Sequence, residues 1–399
     1  MKKLLSVFVI LLVLLAGGVG AAEVSDAELR QMANEVSRLV GKEEYAEARS
    51  TAQHLVERMV QRFGATHIQV ATVLNNLAFI NAELGDYARA IELYQQALSI
   101  VEGALGPEHP FCANILNNLG EVHRQFGHND EAASLLARAL AMREKVLPPG
   151  HMDIAASLNN LAIVEAQRGK LVRAAALYER ALKTLEAGAN PDITAQATTL
   201  SNLADIYFHL QQPEKAESML RRALRMKEEA LGPQHPDLFY TLNSLGRLLT
   251  ERKAWGEAAE MYERALMIVK KSRGDTHPEV AISLNNLGAL YRLQGDYARA
   301  EQNYETALAI LSRVHAPDHV RVITTRLNLG TLYLYERRFK EGEVVLREIL
   351  ATLDQSANTD RHNLFVTLDM LARLYRYTGR DDEAEVLQRR LDRFARIKD

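Results

Sequence analysis

A four-residue phrase returns every 42 residues along this chain of 399. It reads LNNL at 74, 116 and 158, LSNL at 200, LNSL at 242, LNNL at 284, RLNL at 326 and LDML at 368. A ninth, degraded copy precedes them, with Tyr45 and Ala48 in the places that Tyr87 and Ala90 take one interval later. Repetition at this length confines the chain to a solenoid, in which each unit buries its apolar face only against its neighbours. The repeat therefore overrides length as a guide to domain number.

Each unit reads as two helices. In the copy spanning 68–109, Val70, Val73, Leu74, Leu77, Ala78 and Asn81 follow the spacing of an amphipathic helix. Gly85-Asp86 interrupts it, and Ala90, Tyr94, Ala97 and Leu98 mark the buried stripe of a second helix that Gly106-Pro107 ends. Because the copies stand in one chain, their columns can be compared. One column is Leu throughout, from Leu77 and Leu119 to Leu371, and the next is always Ala or Gly, from Ala78 and Gly120 to Ala372. The second helix adds Ala90, Ala132, Ala174, Ala216, Ala258, Ala300, Gly342 and Ala384. Two columns of small residues let paired helix backbones approach, and a larger side chain there costs roughly 1–3 kcal/mol.

These columns resemble the tetratricopeptide repeat, with its small residue in the first helix, its Gly turn, the aromatic soon after and the Ala–Tyr–Ala-Leu phrase. The repeated LNN-L-A and LGPxHP phrases, as in Leu105-Gly106-Pro107 with His109-Pro110, look like the kinesin-light-chain subtype, most closely over 68–325. The resemblance implies an all-α fold, a right-handed superhelical solenoid of helical hairpins. It also implies a protein-binding role on a concave surface lined by the first helices. The expected organisation is an export signal at 1–22, a degenerate capping repeat at 23–67, seven 42-residue repeats at 68–361, and a C-terminal repeat with its capping helix at 362–399. The export signal rests on Lys2 and Lys3, the apolar run Leu4–Ala16 and small residues up to Ala22. A periplasmic or secreted location follows, with N-terminal membrane anchoring by an uncleaved signal as the alternative.

Little in the sequence suggests reaction chemistry. A net charge of −3 gives no basic stripe for nucleic acid. No phosphate loop, HExxH or nucleophile elbow is present, so neither enzyme activity nor a cofactor is expected. Cys112 shares a column with Val70, Ile154 and Leu238 and reads as a small buried hydrophobe. Histidine precedes the first helix at His67, His109, His151, His235, His277 and His319, while Ile193 and Arg361 take the slot elsewhere. Successive copies stand a whole repeat apart, roughly 10 Å or more, too far to share a metal ion. They read as helix caps, not metal ligands.

The asparagines are the sharper candidates. The second column, Asn76, Asn118, Asn160, Asn202, Asn286 and Asn328 with Ser244 and Met370, lies one turn before an apolar column and is expected to bond a neighbouring helix. The first column, Asn75, Asn117, Asn159, Ser201, Asn243 and Asn285, shares its face with columns that vary freely, and is expected to meet the backbone of a partner. The varied neighbours would set specificity. They are apolar in the first half, at Phe79, Ile163 and Phe208, and basic in the second, at Arg247, Arg292, Arg373 and Arg376, beside Tyr335 and Tyr377. The expected partner is a protein or extended peptide, acidic toward the C-terminal half of the groove. The alternative is a self-associating assembly scaffold or an accessory subunit of an envelope or secretion complex.

Overall fold

The computed structural model describes residues 25–188, 192–356 and 361–396. The export signal expected at 1–22 lies outside the described residues. Among them the chain is helical throughout, with 18 helices in order, α1 (Asp26–Gly41) to α18 (Asp381–Arg396). They pair as hairpins: α3 (Ile68–Glu83) with α4 (Tyr87–Leu105), α5 (Pro110–Gln125) with α6 (Asn129–Val146), and α7 (Met152–Gln167) with α8 (Leu171–Ala187). The pattern continues through α9 (Ile193–His209), α10 (Pro213–Leu231), α11 (Leu238–Glu251), α12 (Trp255–Arg273), α13 (Pro278–Leu293) and α14 (Tyr297–Leu311). It ends in α15 (Val320–Tyr335), α16 (Phe339–Gln355), α17 (Arg361–Tyr377) and α18. The chain divides into two compact units at Met219 and Leu220. Within each, helices pack on their neighbours in sequence and more lightly on the helix after next.

The turn inside each hairpin follows one rule. Residues 43, 85, 127, 169, 211, 253, 295, 337 and 379 all have φ between 58° and 90°. The N–H of the following residue closes back on a carbonyl five residues earlier, as from Asp86 to Asn81 at 2.9 Å and from Arg338 to Tyr333 at 2.8 Å. Glycine fills five of these positions, whereas Glu43, Gln211, Lys253 and Arg337 hold the same left-handed conformation with a side chain.

The core is the predicted one. Ala78, Ala90, Ala97 and Ile80 are fully buried, as are Tyr94 and Leu93 to within a few per cent. In the second unit two residues of the small column, Gly246 and Gly288, face tyrosine. A Cβ on Gly246 would lie 2.6 Å from the Tyr262 ring, and one on Gly288 would lie 2.7 Å from that of Tyr304. Burial raises the Tyr262 hydroxyl pKa to about 12. Cys112 is fully buried, and burial likewise pushes its thiol up, so it is a core residue and not a reactive thiol.

The terminal hairpins carry a second kind of joint. Arg338 stacks over Tyr333 at 4.3 Å and binds Glu301, on the preceding repeat, through both Nη atoms at 2.8 and 2.9 Å. One repeat later Arg380 stacks over Tyr375 at 4.2 Å and donates to Glu343 at 2.7 Å. These arginines hold Glu301 and Glu343 below the usual carboxylate range.

Candidate functional site

The candidate surface is built from the first helix of each hairpin. The small and leucine columns of that helix face its own partner, so the asparagine phrase and the columns beside it are turned toward the neighbouring first helices and the surface.

The two asparagine columns interlock. Asn118 donates to Asn75 Oδ1 at 3.2 Å and Asn160 to Asn117 Oδ1 at 3.0 Å. In the second unit Asn286 donates to Asn243 Oδ1 at 2.8 Å and Asn328 to Asn285 Oδ1 at 3.5 Å. The second column thus bonds the preceding repeat, as its place beside the apolar column suggested. At Asn75, Asn117, Asn243 and Asn285 the first column is the receiving half of the same joint, whereas the buried Asn159 Oδ1 has no hydrogen-bond partner. The column's amide hydrogens are also committed: Asn159 donates to Thr199 Oγ1 at 3.0 Å, Asn285 to Thr325 Oγ1 at 2.8 Å, and Asn243 to the Phe239 carbonyl at 2.8 Å. The hydroxyl of Ser201 donates to the Ala197 carbonyl. Asn75, Asn159 and Asn243 are buried, while Asn117, Ser201 and Asn285 are half-buried. A fixed polar column amid variable ones is therefore accounted for by the joint between repeats, since a buried amide must find partners.

The variable columns remain at the surface. In the first unit Phe79, Ile163 and Phe208 are half-buried. Phe79 meets the edge of Tyr45 at 6.4 Å, and Phe208 packs edge-on against His209 at 5.6 Å. Glu121 and Arg124, in the same two columns, form an ion pair and so contribute no net charge. In the second unit Arg247 and Arg292 are half-buried, and Arg373 and Arg376 are exposed. The Arg292 guanidinium lies over the Tyr335 ring at 5.1 Å. Arg373 pairs with Asp369 at 2.9 Å, and Arg376 donates to Gln388 at 2.7 Å.

One column escaped the sequence reading in part. Leu293, Tyr335 and Tyr377 are one repeat apart, and they are 49, 60 and 63% exposed. Tyr377 also rests on Phe339 with ring centres 4.9 Å apart. Leu293 was detectable only by following that column from the two tyrosines back one interval. Two buried cations were also missed. Arg143 and Lys227 replace aliphatic residues such as Val101 and Val269 on the second helix, and each is 5% exposed. Arg143 donates to Ser157 Oγ, Asn114 Oδ1 and the Asp153 carbonyl, and Lys227 donates to Thr241 Oγ1 at 3.0 Å. Both join consecutive hairpins. The histidines cap helices as expected, and among the described residues no cluster of His, Cys, Asp and Glu could hold a metal ion.

Family models described as tetratricopeptide repeat match residues 39–102, 69–145, 195–271, 248–313 and 279–355 in one form, 117–191 in a second and 366–391 in a third. No curated protein matches. Among solved structures, the apo form of the quorum sensor NprR from B. thuringiensis is similar, with a TM-score of 0.65 and 12% identity over 83% of this chain and 89% of that one. Aspartyl phosphate phosphatase F from Bacillus subtilis has a TM-score of 0.55 and 13% identity over 95% of this chain and 96% of that one. BtubC (BKLC) from P. vanneervenii is 23% identical over 59% of this chain and 93% of that one, with a TM-score of 0.48. At such identities the first two speak to the fold alone.

Proposed function

This chain belongs to the tetratricopeptide repeat family, and from that premise we propose that it is a non-catalytic scaffold binding another protein or an extended peptide on its first-helix faces. In the second unit the partner is a segment bearing carboxylates among apolar or aromatic residues. The observation that carries this reading is the exposed series Leu293, Tyr335 and Tyr377, one per repeat, with Arg292 lying over Tyr335. Exposed aromatic groups in regular register favour apolar groups spaced along a ligand, and arginines beside them favour carboxylates. Arg247, Arg373 and Arg376 extend the basic character, tempered at Arg373 by Asp369. In the first unit Phe79, Ile163 and Phe208 favour an apolar segment. The asparagines enter this proposal as the joint that fixes the spacing between successive sites.

The test uses short peptides alternating Asp or Glu with Tyr or Trp, and the same peptides with Lys for the acidic residues. The acidic set is expected to bind the full chain, more weakly as salt rises from about 50 to about 300 mM. The double variant Arg247→Glu with Arg292→Glu should weaken binding by about tenfold or more, the scale of losing charge pairs at an interface. Unchanged affinity in that variant, or equal binding of the lysine peptides, would sink the reading. The chain is further proposed to be exported, on the composition of residues 1–22. Cell fractionation with N-terminal sequencing checks this: a mature start just after Ala21 or Ala22 supports export, and a retained cytoplasmic chain refutes it.

A further inference from the structure

Five of the first helices have a histidine N-cap, and a histidine makes the same bond just ahead of α11, whose own N-cap is Asp237. The Nδ1 atom of a preceding histidine accepts the backbone N–H two residues on: His67 from Gln69 at 3.3 Å, His109 from Phe111 at 3.1 Å and His151 from Asp153 at 3.2 Å. His235 accepts from Asp237, His277 from Glu279 and His319 from Arg321, each at 3.2 Å. A backbone N–H can only donate, so each ring must keep its lone pair on Nδ1 and its proton on Nε2. The usual capping side chains, such as Ser25 on α1 and Asp192 on α9, keep an acceptor across the neutral and mildly acidic range. A histidine loses its acceptor when it takes a second proton, and the charge then stands at the positive end of the helix dipole.

We propose that the six histidine caps form a distributed acid-sensitive release, in which proton uptake at Nδ1 opens the start of each first helix and loosens its link to the preceding hairpin. The geometry of neighbouring groups divides the caps into two sets. In His151, His235 and His277 the nearest carboxylate belongs to the very residue whose N–H is capped. Asp153, Asp237 and Glu279 stand 3.8, 3.8 and 3.9 Å from Nδ1. There Nδ1, once protonated, stops accepting the backbone N–H and can donate to that carboxylate instead, which offsets part of the loss. His67, His109 and His319 precede Gln69, Phe111 and Arg321 and have no such exchange.

Other charged and titratable groups act at these caps, and Glu279 itself accepts from the Tyr240 hydroxyl at 2.7 Å and pairs with Arg273 at 3.4 Å. His67 stacks on Phe63 at 4.9 Å, with Arg62 over that ring, and His109 follows Glu108, which is paired with Lys145. Arg273 Nη1 lies 3.4 Å from His277 Nε2, and Arg321 also acts on this ring. His319 stacks on His315 at 3.7 Å with the planes 9° apart, and Arg321 and Asp318 act on it with opposite sign. Burial first holds His277 and His319 below the ordinary histidine value; Glu279 opposes it at His277 ahead of the help from Arg273 and Arg321, while His315 and then Arg321 add to it at His319. A group with a lowered folded value stabilises above its unfolded value and ceases to do so as pH falls through the folded one.

The test compares the full chain with a variant carrying Asn at all six positions, since Asn caps without titrating. Between about pH 7.5 and about pH 5, the thermal midpoint of the natural chain should fall, and that of the variant should fall by less than half as much. First-turn amides of α3, α5 and α15 should lose roughly two- to thirty-fold protection from exchange per cap, more than those of α7, α11 and α13. An equal fall in both proteins overturns the proposal. Should the six-site variant not fold, nitrogen NMR of the unaltered imidazoles decides. Nε2-H rings whose protonation coincides with loss of Arg321 amide protection support the device, and Nδ1-H rings, or protection that survives protonation, refute it.

Discussion

Between α3 and α9 the variable columns bring Phe79, Ile163 and Phe208 to the surface, while Glu121 and Arg124 neutralise each other. Between α11 and α17 the same columns hold Arg247, Arg292, Arg373 and Arg376, next to an exposed Tyr335 and Tyr377. Both regions are nonetheless joined by the same asparagine pairs, from Asn118 to Asn75 in one and from Asn286 to Asn243 in the other. The contrast separates what packing demands from what it leaves open. A column that must bond its neighbour keeps its polarity, and a column one turn away can change character without disturbing the joint. The regions differ inside as well: Ala78 and Ala162 stand in the column where Gly246 and Gly288 face tyrosine rings.

That internal difference gives the largest expected effect. Gly288→Ala should destabilise by about 3 kcal/mol, because its Cβ meets the Tyr304 ring and neither backbone nor ring can move without repacking. Chemical denaturation measures it, and pairing it with Tyr304→Leu should recover part of the loss. A full cost that persists in the pair would place the strain elsewhere. Next comes the joint. Asn118→Leu leaves the Asn75 oxygen buried without its donor, at about 2 kcal/mol, whereas Asn328→Leu should cost under about 1 kcal/mol, since Asn285 is half-exposed and the bond is long. Equal costs in denaturant unfolding would show that burial of the accepting asparagine does not set the strength of the joint. At the turns, Lys253→Gly or Arg337→Gly should stabilise by about 0.5–1 kcal/mol, and Gly169→Ala should destabilise by about 1 kcal/mol, because only glycine holds that φ without a penalty. Thermal midpoints check the signs.

The smallest effect belongs to the clamps of the last hairpins. Glu301 and Glu343 are depressed in the folded chain, so their contribution is present above the unfolded carboxylate value, near pH 4.5, and fades as pH falls through the lower folded values. Glu343→Gln should therefore flatten the stability profile between about pH 5 and about pH 3. An unchanged slope would show that the clamp adds nothing measurable.

Most of the architecture is readable in the columns because each repeat solves the same packing problem again. Leu77, Ala78, Ala90 and Tyr94 reveal a hairpin core from one copy, and seven more copies remove the ambiguity. Cys112 is legible as a hydrophobe for the same reason, from Val70 and Ile154 one interval to either side. The role of Asn75 was not legible. Its periodicity marks it as required, but a requirement to meet a partner and a requirement to meet Asn118 leave the same pattern. The left-handed turns at Lys253 and Arg337 show only through their column, which holds Gly85, Gly169 and Gly295, since the side chains themselves give no sign of them. Arg143 and Lys227 look like surface charges until their column is compared with Val101 and Val269, where the aliphatic neighbours betray the burial.

The hydrogen bonds that join asparagine to asparagine span 43 residues of sequence. Tension along the backbone would therefore load these joints in series within each unit. A repeat that gives way would pay out its own 42 residues, a length of about 140 Å when extended, while the next joint still holds. Each unit would then extend in steps, with yield points at the asparagine joints and the turns between paired helices.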